Sequence, residues 1–97
     1  MNKQEILTII LAEEAAEIIQ RCTKALRFSY TETQPEKDKD NEQILVDEIN
    51  DFLATLEMLK QTGLTLDRLA NPIALAKKKI RVEEFMKLSR EQGCLQD

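Results

Sequence analysis

The chain has 97 residues, which is enough for one domain near the lower end of the sizes that fold alone. Two glycines and two prolines disfavour an all-β fold, whereas 33% charged and 4% aromatic residues suit amphipathic helices. The formal net charge of −4 argues against general binding to nucleic acid or an anionic membrane. We expect no transmembrane segment, a cytoplasmic location and two reduced cysteines.

The first predicted helix runs from about Lys3 to Phe28. Apolar side chains occupy most of its circumference, which predicts burial on several sides, with Cys22 as a small buried hydrophobic residue. Arg21, Lys24 and Arg27 place positive charge in its final turns, where they complement the helix dipole.

A polar connector and a second helix follow. Residues 31–41 contain Pro35 and a run of mixed charges without apolar periodicity, which predicts a mobile loop. Apolar residues at helical spacing then predict a helix over 41–61. Gly63 is the candidate for a left-handed capping position after this helix.

The last third predicts a short helix over 66–70, a break at Asn71-Pro72 and a final helix over 72–90. Phe85 is interpreted as a core residue of that helix, as is Phe52 in the preceding one. Gly93 ends the final helix, and we expect residues 93–97 to be frayed. The chain is therefore expected to be a single all-α domain.

Two acidic patterns interrupt the apolar helices. Residues three apart lie on one helix face, so Glu14 pairs with Glu17 in the first pattern and Glu48 with Asp51 in the second. Glu13 adds a further acid beside the first pair. Each pair falls in the apolar sector of its helix, where an unpaired carboxylate is costly.

Two interpretations of these acids compete. An acid-rich chain places carboxylates at helical spacing by accident, usually on a solvated face. Two such pairs in apolar sectors of consecutive helices favour instead a divalent metal site. Carboxylate ligands suit Mg²⁺ or Mn²⁺, and the absence of histidine excludes the Glu-x-x-His ligands of di-iron bundles.

The arrangement Glu-Glu-x-x-Glu followed by Glu-x-x-Asp on paired helices resembles the MazG-like all-α nucleoside triphosphate pyrophosphohydrolases. The stretches 24–28 and 78–83 resemble small phage and bacterial members in particular, and the similarity runs from about Glu5 to Leu88. One departure is the separation of the motifs by residues 18–47, which is longer than in many compact members. The added length falls in the polar loop, where it costs little.

The resemblance implies an antiparallel helical bundle that is completed by oligomerisation. It implies Mg²⁺-dependent hydrolysis of a (deoxy)nucleoside triphosphate to the monophosphate and pyrophosphate, in nucleotide-pool housecleaning. By the same resemblance, Glu14, Glu17, Glu48 and Asp51 match the metal ligands, and Glu13 matches the acid beside them. Either Glu17 or Glu13 is the expected general base for the attacking water.

Basic residues offer candidate contacts to the triphosphate. Lys78 and Arg81 lie one turn apart in the densest positive cluster, and Lys24 and Arg27 invite the same interpretation. The alternative is that these side chains form solvated helix faces that favour the helix dipole. Phe28 and Tyr30 are weaker candidates for stacking on a base.

Helices that are apolar on most sides need partners, so we expect a homodimer or a dimer of dimers with the nucleotide pocket near the subunit interface. Two other functions stay open from the sequence. One is a non-catalytic helical interaction protein whose acids are merely exposed, and the other is a hydrolase of a signalling nucleotide such as an alarmone.

Overall fold

A computed structural model describes residues 1–33 and 38–97. In these residues the regular structure is helical, which confirms the all-α prediction. The helices are α1 (Lys3–Phe28), α2 (Asn41–Lys60) and α3 (Pro72–Glu91), close to the predicted bounds. None of the described helices has both the length and the apolar character that a bilayer span requires.

Each helix begins at a polar residue that satisfies free backbone N–H groups. Asn2 and Asp40 are the N-caps of α1 and α2, and each forms a capping box. The N-cap side chain accepts from the backbone amide of Glu5 or Gln43, and the side chain of Glu5 or Gln43 accepts from the backbone amide of the N-cap residue. Asn71 accepts hydrogen bonds from two amides of the first turn of α3. The predicted starts near 3, 41 and 72 are therefore confirmed.

The helices α1 and α2 form an antiparallel hairpin. The start of α1 meets the residues after α2, where Gln4 Nε2 donates to Thr62 Oγ1 at 3.2 Å. The other end is closed where Asn41 Nδ2 donates to the Ser29 carbonyl oxygen at 2.8 Å. These two contacts fix which turns of α1 face which turns of α2.

The helices of the hairpin meet along a seam of alternating three- and four-residue spacing, which is typical of coiled-coil packing. None of the seam positions is fully exposed. On α1 the seam comprises Gln4, Leu7, Leu11, Glu14, Ile18, Arg21 and Ala25. On α2 and the turn after it, the seam comprises Asn41, Leu45, Glu48, Phe52, Thr55, Leu59 and Thr62.

Burial in the hairpin is confined to this one side. The buried apolar residues are Leu7, Ala25, Ile44 and Leu59. Ile19 and Leu26 are exposed, so the predicted burial of α1 on several sides is not met within one chain. The prediction for Cys22 is wrong, because its position on the outer side of α1 leaves it exposed.

The connector of the hairpin is described only at its two ends. The Glu32 carbonyl oxygen accepts from the Asn41 amide at 3.0 Å, and Thr33 forms an isolated bridge with Asp40. Residues 34–37, including Pro35, lie outside the described residues. The predicted mobility of 31–41 stays a prediction.

Contact density divides the chain into two compact units, Met1–Leu64 and Thr65–Asp97. In the second unit the predicted helix over 66–70 is wrong, since residues 67–70 form turns. In these turns a backbone amide donates to the carbonyl oxygen three residues earlier, from Leu69 to Leu66 and from Asn71 to Arg68. Ala70 has a positive φ of 57°. A helix cannot continue here because Asn71 precedes a proline and is extended. Gly63 has positive φ after α2, as predicted, and Gly93, which was predicted to end α3, also has positive φ.

The helix α3 has no buried residue. The core prediction for Phe85 is wrong for this chain, since the residue is 56% exposed, whereas Phe52 is half-buried in the hairpin seam. In the predicted frayed tail, the Cys94 amide donates to the Ser89 carbonyl oxygen at 2.8 Å. Arg90 also pairs with Asp97. Fraying itself stays a prediction.

Candidate metal centre

Three carboxylates meet at the middle of the hairpin. Glu14 comes from α1, and Glu48 and Asp51 come from α2. One oxygen from each lies within 4.8 Å of the other two. Glu14 and Glu48 are half-buried, while Asp51 is exposed and leaves one side of the cluster open.

The seam explains why these residues meet. Glu14 and Glu48 occupy seam positions that would normally hold apolar side chains, and the antiparallel register sets them opposite each other. Asp51 lies one turn beyond Glu48, on the same side of α2. Thr55, a seam residue one turn after Asp51, donates its hydroxyl to the Asp51 backbone carbonyl at 2.9 Å, which leaves the Asp51 carboxylate uncommitted.

Electrostatic repulsion concentrates on Glu14. Partial burial raises the pKa of this carboxyl above its ordinary value of 4.5, and the charges of Asp51, Glu48, Glu17 and Glu13 raise it further. Ion pairs of the described residues lie elsewhere, such as the pair of Lys39 with Asp47 at 2.7 Å. No described basic side chain therefore neutralises the cluster by direct pairing.

The donor set fits a hard divalent cation. Carboxylate oxygens are the ligands that Mg²⁺ and Mn²⁺ prefer. At metal–oxygen distances of about 2.0–2.6 Å, two ligands on opposite sides of an ion stand about 4–5 Å apart. The three oxygens lie within 4.8 Å, so they are close enough to share one ion.

The other two predicted acids lie outside the group of three. Glu17 is half-buried one turn after Glu14, and Glu13 is exposed. Both contribute to the raised pKa of Glu14, so they belong to the same electrostatic environment. The assignment of Glu17 as a metal ligand, and of Glu17 or Glu13 as the general base, stays a prediction.

The predicted phosphate-binding residues belong to two different compact units. Lys24 is half-buried near the end of α1, whereas Arg27 is exposed with its guanidinium 4.9 Å from the centre of the Phe28 ring. Lys78 and Arg81 are exposed on α3, in the second unit. Their roles in substrate binding stay predictions.

Sequence reasoning missed Arg21 as a site residue. Its Nε and Nη1 atoms are buried and have no hydrogen-bond partner among the described residues. Arg21 occupies the seam position one heptad, or seven residues, after Glu14. The spacing of Arg21 from Glu14 was the sequence signal for a place on the same helix face. The positive charge of Arg21 near the end of α1 also fits a role in complementing the helix dipole.

Comparison of the chain with protein-family models, curated proteins and solved structures finds no match. The resemblance to MazG-like enzymes rests on the acidic motif and the order of the helices, and it stays a prediction.

Proposed function

We propose that this protein hydrolyses a (deoxy)nucleoside triphosphate, in the presence of Mg²⁺ or Mn²⁺, to the monophosphate and pyrophosphate. The observation that carries the proposal is the convergence of Glu14, Glu48 and Asp51 within 4.8 Å at the middle of the hairpin. The resemblance to MazG-like pyrophosphohydrolases supplies the reaction and its role in nucleotide-pool housecleaning.

In this proposal the three converging carboxylates hold the cation, and Glu17 completes the ligand set from the next turn of α1. When bound, the cation neutralises phosphate charge and polarises water at the site. Glu17 or Glu13 accepts the proton of the attacking water through a carboxylate oxygen that is not committed to the cation; both acids adjoin the group of three. Lys24, Arg27, Lys78 and Arg81 are the proposed contacts to the phosphates.

We also propose that the protein is a homodimer or a dimer of dimers. The exposed apolar side chains on the outer side of the hairpin include Ile19, Leu26 and Leu53. The helix α3 adds Ile80 and Phe85. Side chains of this size in such number support burial against further copies of the chain.

Product analysis tests the reaction. The protein is incubated with Mg²⁺ and a panel of nucleotides that includes an alarmone, and phosphorus NMR identifies the products. We expect monophosphate and pyrophosphate from the wild type and no turnover from Glu48→Gln. Glu57→Gln is the matched control, since Glu57 is an exposed acid on α2 outside the cluster. Full activity of Glu48→Gln with unchanged metal dependence would refute the assignment.

The exposed apolar surface also favours a second candidate, a non-catalytic helical interaction protein. Thermal unfolding with and without Mg²⁺ separates the two functions. A metal-binding enzyme gains stability from the cation, because binding favours the folded state. Absence of both turnover and metal-induced stabilisation would select the interaction protein.

A further inference from the structure

The hairpin seam contains polar side chains, and some of them bond directly across the chain. Gln4 donates to Thr62 at one end, and Asn41 donates to the Ser29 carbonyl oxygen at the other. Arg21 differs from these residues, because its buried Nε and Nη1 atoms lack a partner among the residues that the structure describes. Buried polar atoms are normally paired, so this exception calls for a physical account.

A guanidinium group such as that of Arg21 offers only hydrogen-bond donors. Acceptors for buried donors of this kind are carboxylates, phosphates or carbonyl oxygens. Glu17 lies one turn before Arg21, yet neither it nor Glu48 forms an ion pair with Arg21 in the described residues. An oxyanion bound beside Arg21 would supply acceptors of this kind to the buried Nε and Nη1 atoms.

The position of Arg21 connects it to the acidic cluster. It follows Glu14 by seven residues, which places both on the same face of α1 at an axial distance of about 10 Å. Helical side chains lean towards the N-terminus, so a long side chain at position 21 extends along the seam in the direction of Glu14. The seam thus contains an uncompensated anionic group and an uncompensated cation in succession.

We propose that Arg21 binds the phosphate chain of the ligand whose metal ion is held by Glu14, Glu48 and Asp51. A metal-bound polyphosphate carries both complements that the seam lacks, a cation for the carboxylates and oxyanions for the guanidinium. This inference deepens the proposed function and rests on it for the metal ion. Arg21 is then a binding residue of the site, more deeply placed than the exposed Arg27.

The test uses inorganic pyrophosphate as the probe, so turnover is not the readout. Calorimetric titration in Mg²⁺ measures pyrophosphate affinity for the wild type, Arg21→Met and the matched control Arg68→Met, which alters an exposed arginine. We expect Arg21→Met to lose about tenfold or more in affinity, because charge-assisted hydrogen bonds disappear. The control should bind as the wild type does.

Thermal unfolding of the same variants supplies the second readout. Arg21→Met should keep the stabilisation by Mg²⁺ alone and lose the additional stabilisation by pyrophosphate. Unchanged pyrophosphate affinity in Arg21→Met would overturn the inference. If that variant fails to fold, Arg21→Gln, which retains a polar side chain, is judged by the same criterion.

The two proposals fail in different ways. A wild-type protein that responds to Mg²⁺ but not to pyrophosphate would overturn the role of Arg21 and leave the metal site standing. A wild-type protein without any response to Mg²⁺ would refute the proposed function itself.

Discussion

Among the acids of the described residues, Glu14 is the one whose pKa is raised by its surroundings. Its pKa is raised from 4.5 by partial burial and by four neighbouring carboxylates. An acid with a raised pKa in the folded state binds protons more readily there than in the unfolded chain. Stability from this group is therefore greatest below about pH 4.5 and falls as the pH rises through the folded-state pKa.

Glu14→Gln removes this repulsion, so in metal-free buffer we expect it to unfold at a higher temperature than the wild type at neutral pH. The advantage should shrink as the pH falls through the raised pKa of the wild-type Glu14 carboxyl, because protonation removes the repulsion. Thermal unfolding followed by circular dichroism across this range measures the difference. Glu57→Gln controls for the loss of one carboxylate from the chain. Equal metal-free stability of Glu14→Gln and the wild type at neutral pH would contradict the prediction.

In the presence of Mg²⁺ the wild type should unfold at a higher temperature than Glu14→Gln. The wild type gains stability by binding the ion, whereas Glu14→Gln lacks one of the three converging ligands. A substitution that stabilises the metal-free protein and abolishes the response to metal is the pattern expected of a functional ligand.

At the scale of elements, the capping box at Asp40 fixes where α2 begins. Asp40 accepts a hydrogen bond from the Gln43 amide at 2.9 Å, and its backbone amide donates to the Gln43 side chain. Because α2 carries Glu48 and Asp51, the helix start also positions the acidic cluster.

Asp40→Ala should lower the free energy of unfolding by about 1 kcal/mol, the usual cost of losing an N-cap. Urea unfolding measures the change. The matched control is Asp38→Ala, which removes an exposed aspartate two residues before the cap. An equal loss in both variants would show that charge rather than capping is responsible.

Elements with a strong local signal were predictable from the sequence. The 26-residue α1 has its predicted bounds, Lys3–Phe28, because a polar cap and long apolar periodicity agree. The turns over 67–70 were wrongly predicted as a short helix, because capping residues there compete with the restriction that Pro72 imposes on Asn71. Helical spacing placed Glu14, Glu48 and Asp51 correctly on facing sectors.

Properties that depend on contacts between elements were harder to infer. The sequence assigned Arg21 a role in complementing the helix dipole, but gave no sign that its Nε and Nη1 atoms would be buried without a partner among the described residues. Cys22 and Phe85 were assigned to the core from their type, although the hairpin has one narrow seam and α3 buries no residue. A single sequence shows which residues share a helix face more readily than it shows which residues of another helix that face contacts.

At the scale of the molecule, the exposed apolar surface predicts self-association. Light scattering after size exclusion should give a mass above the 11.2 kDa of one chain. Phe85→Ala should weaken the association, because it removes a 56%-exposed aromatic side chain, while the neighbouring Glu84→Ala should not. Alanine favours helix at both positions, so folding of α3 is preserved. A stable monomer at all concentrations would exclude the dimer.

The central position of the acidic cluster has a further consequence for motion. Long paired helices usually open from their ends, because the middle turns have neighbours on both sides. In this hairpin hydrogen bonds secure the two ends, while like charges meet at the centre. Metal-free protein should therefore exchange its amide hydrogens around Ala15 and Ile49 unusually fast for mid-helix positions. A divalent cation should slow that exchange, because it joins α1 and α2 at the level where their carboxylates repel each other.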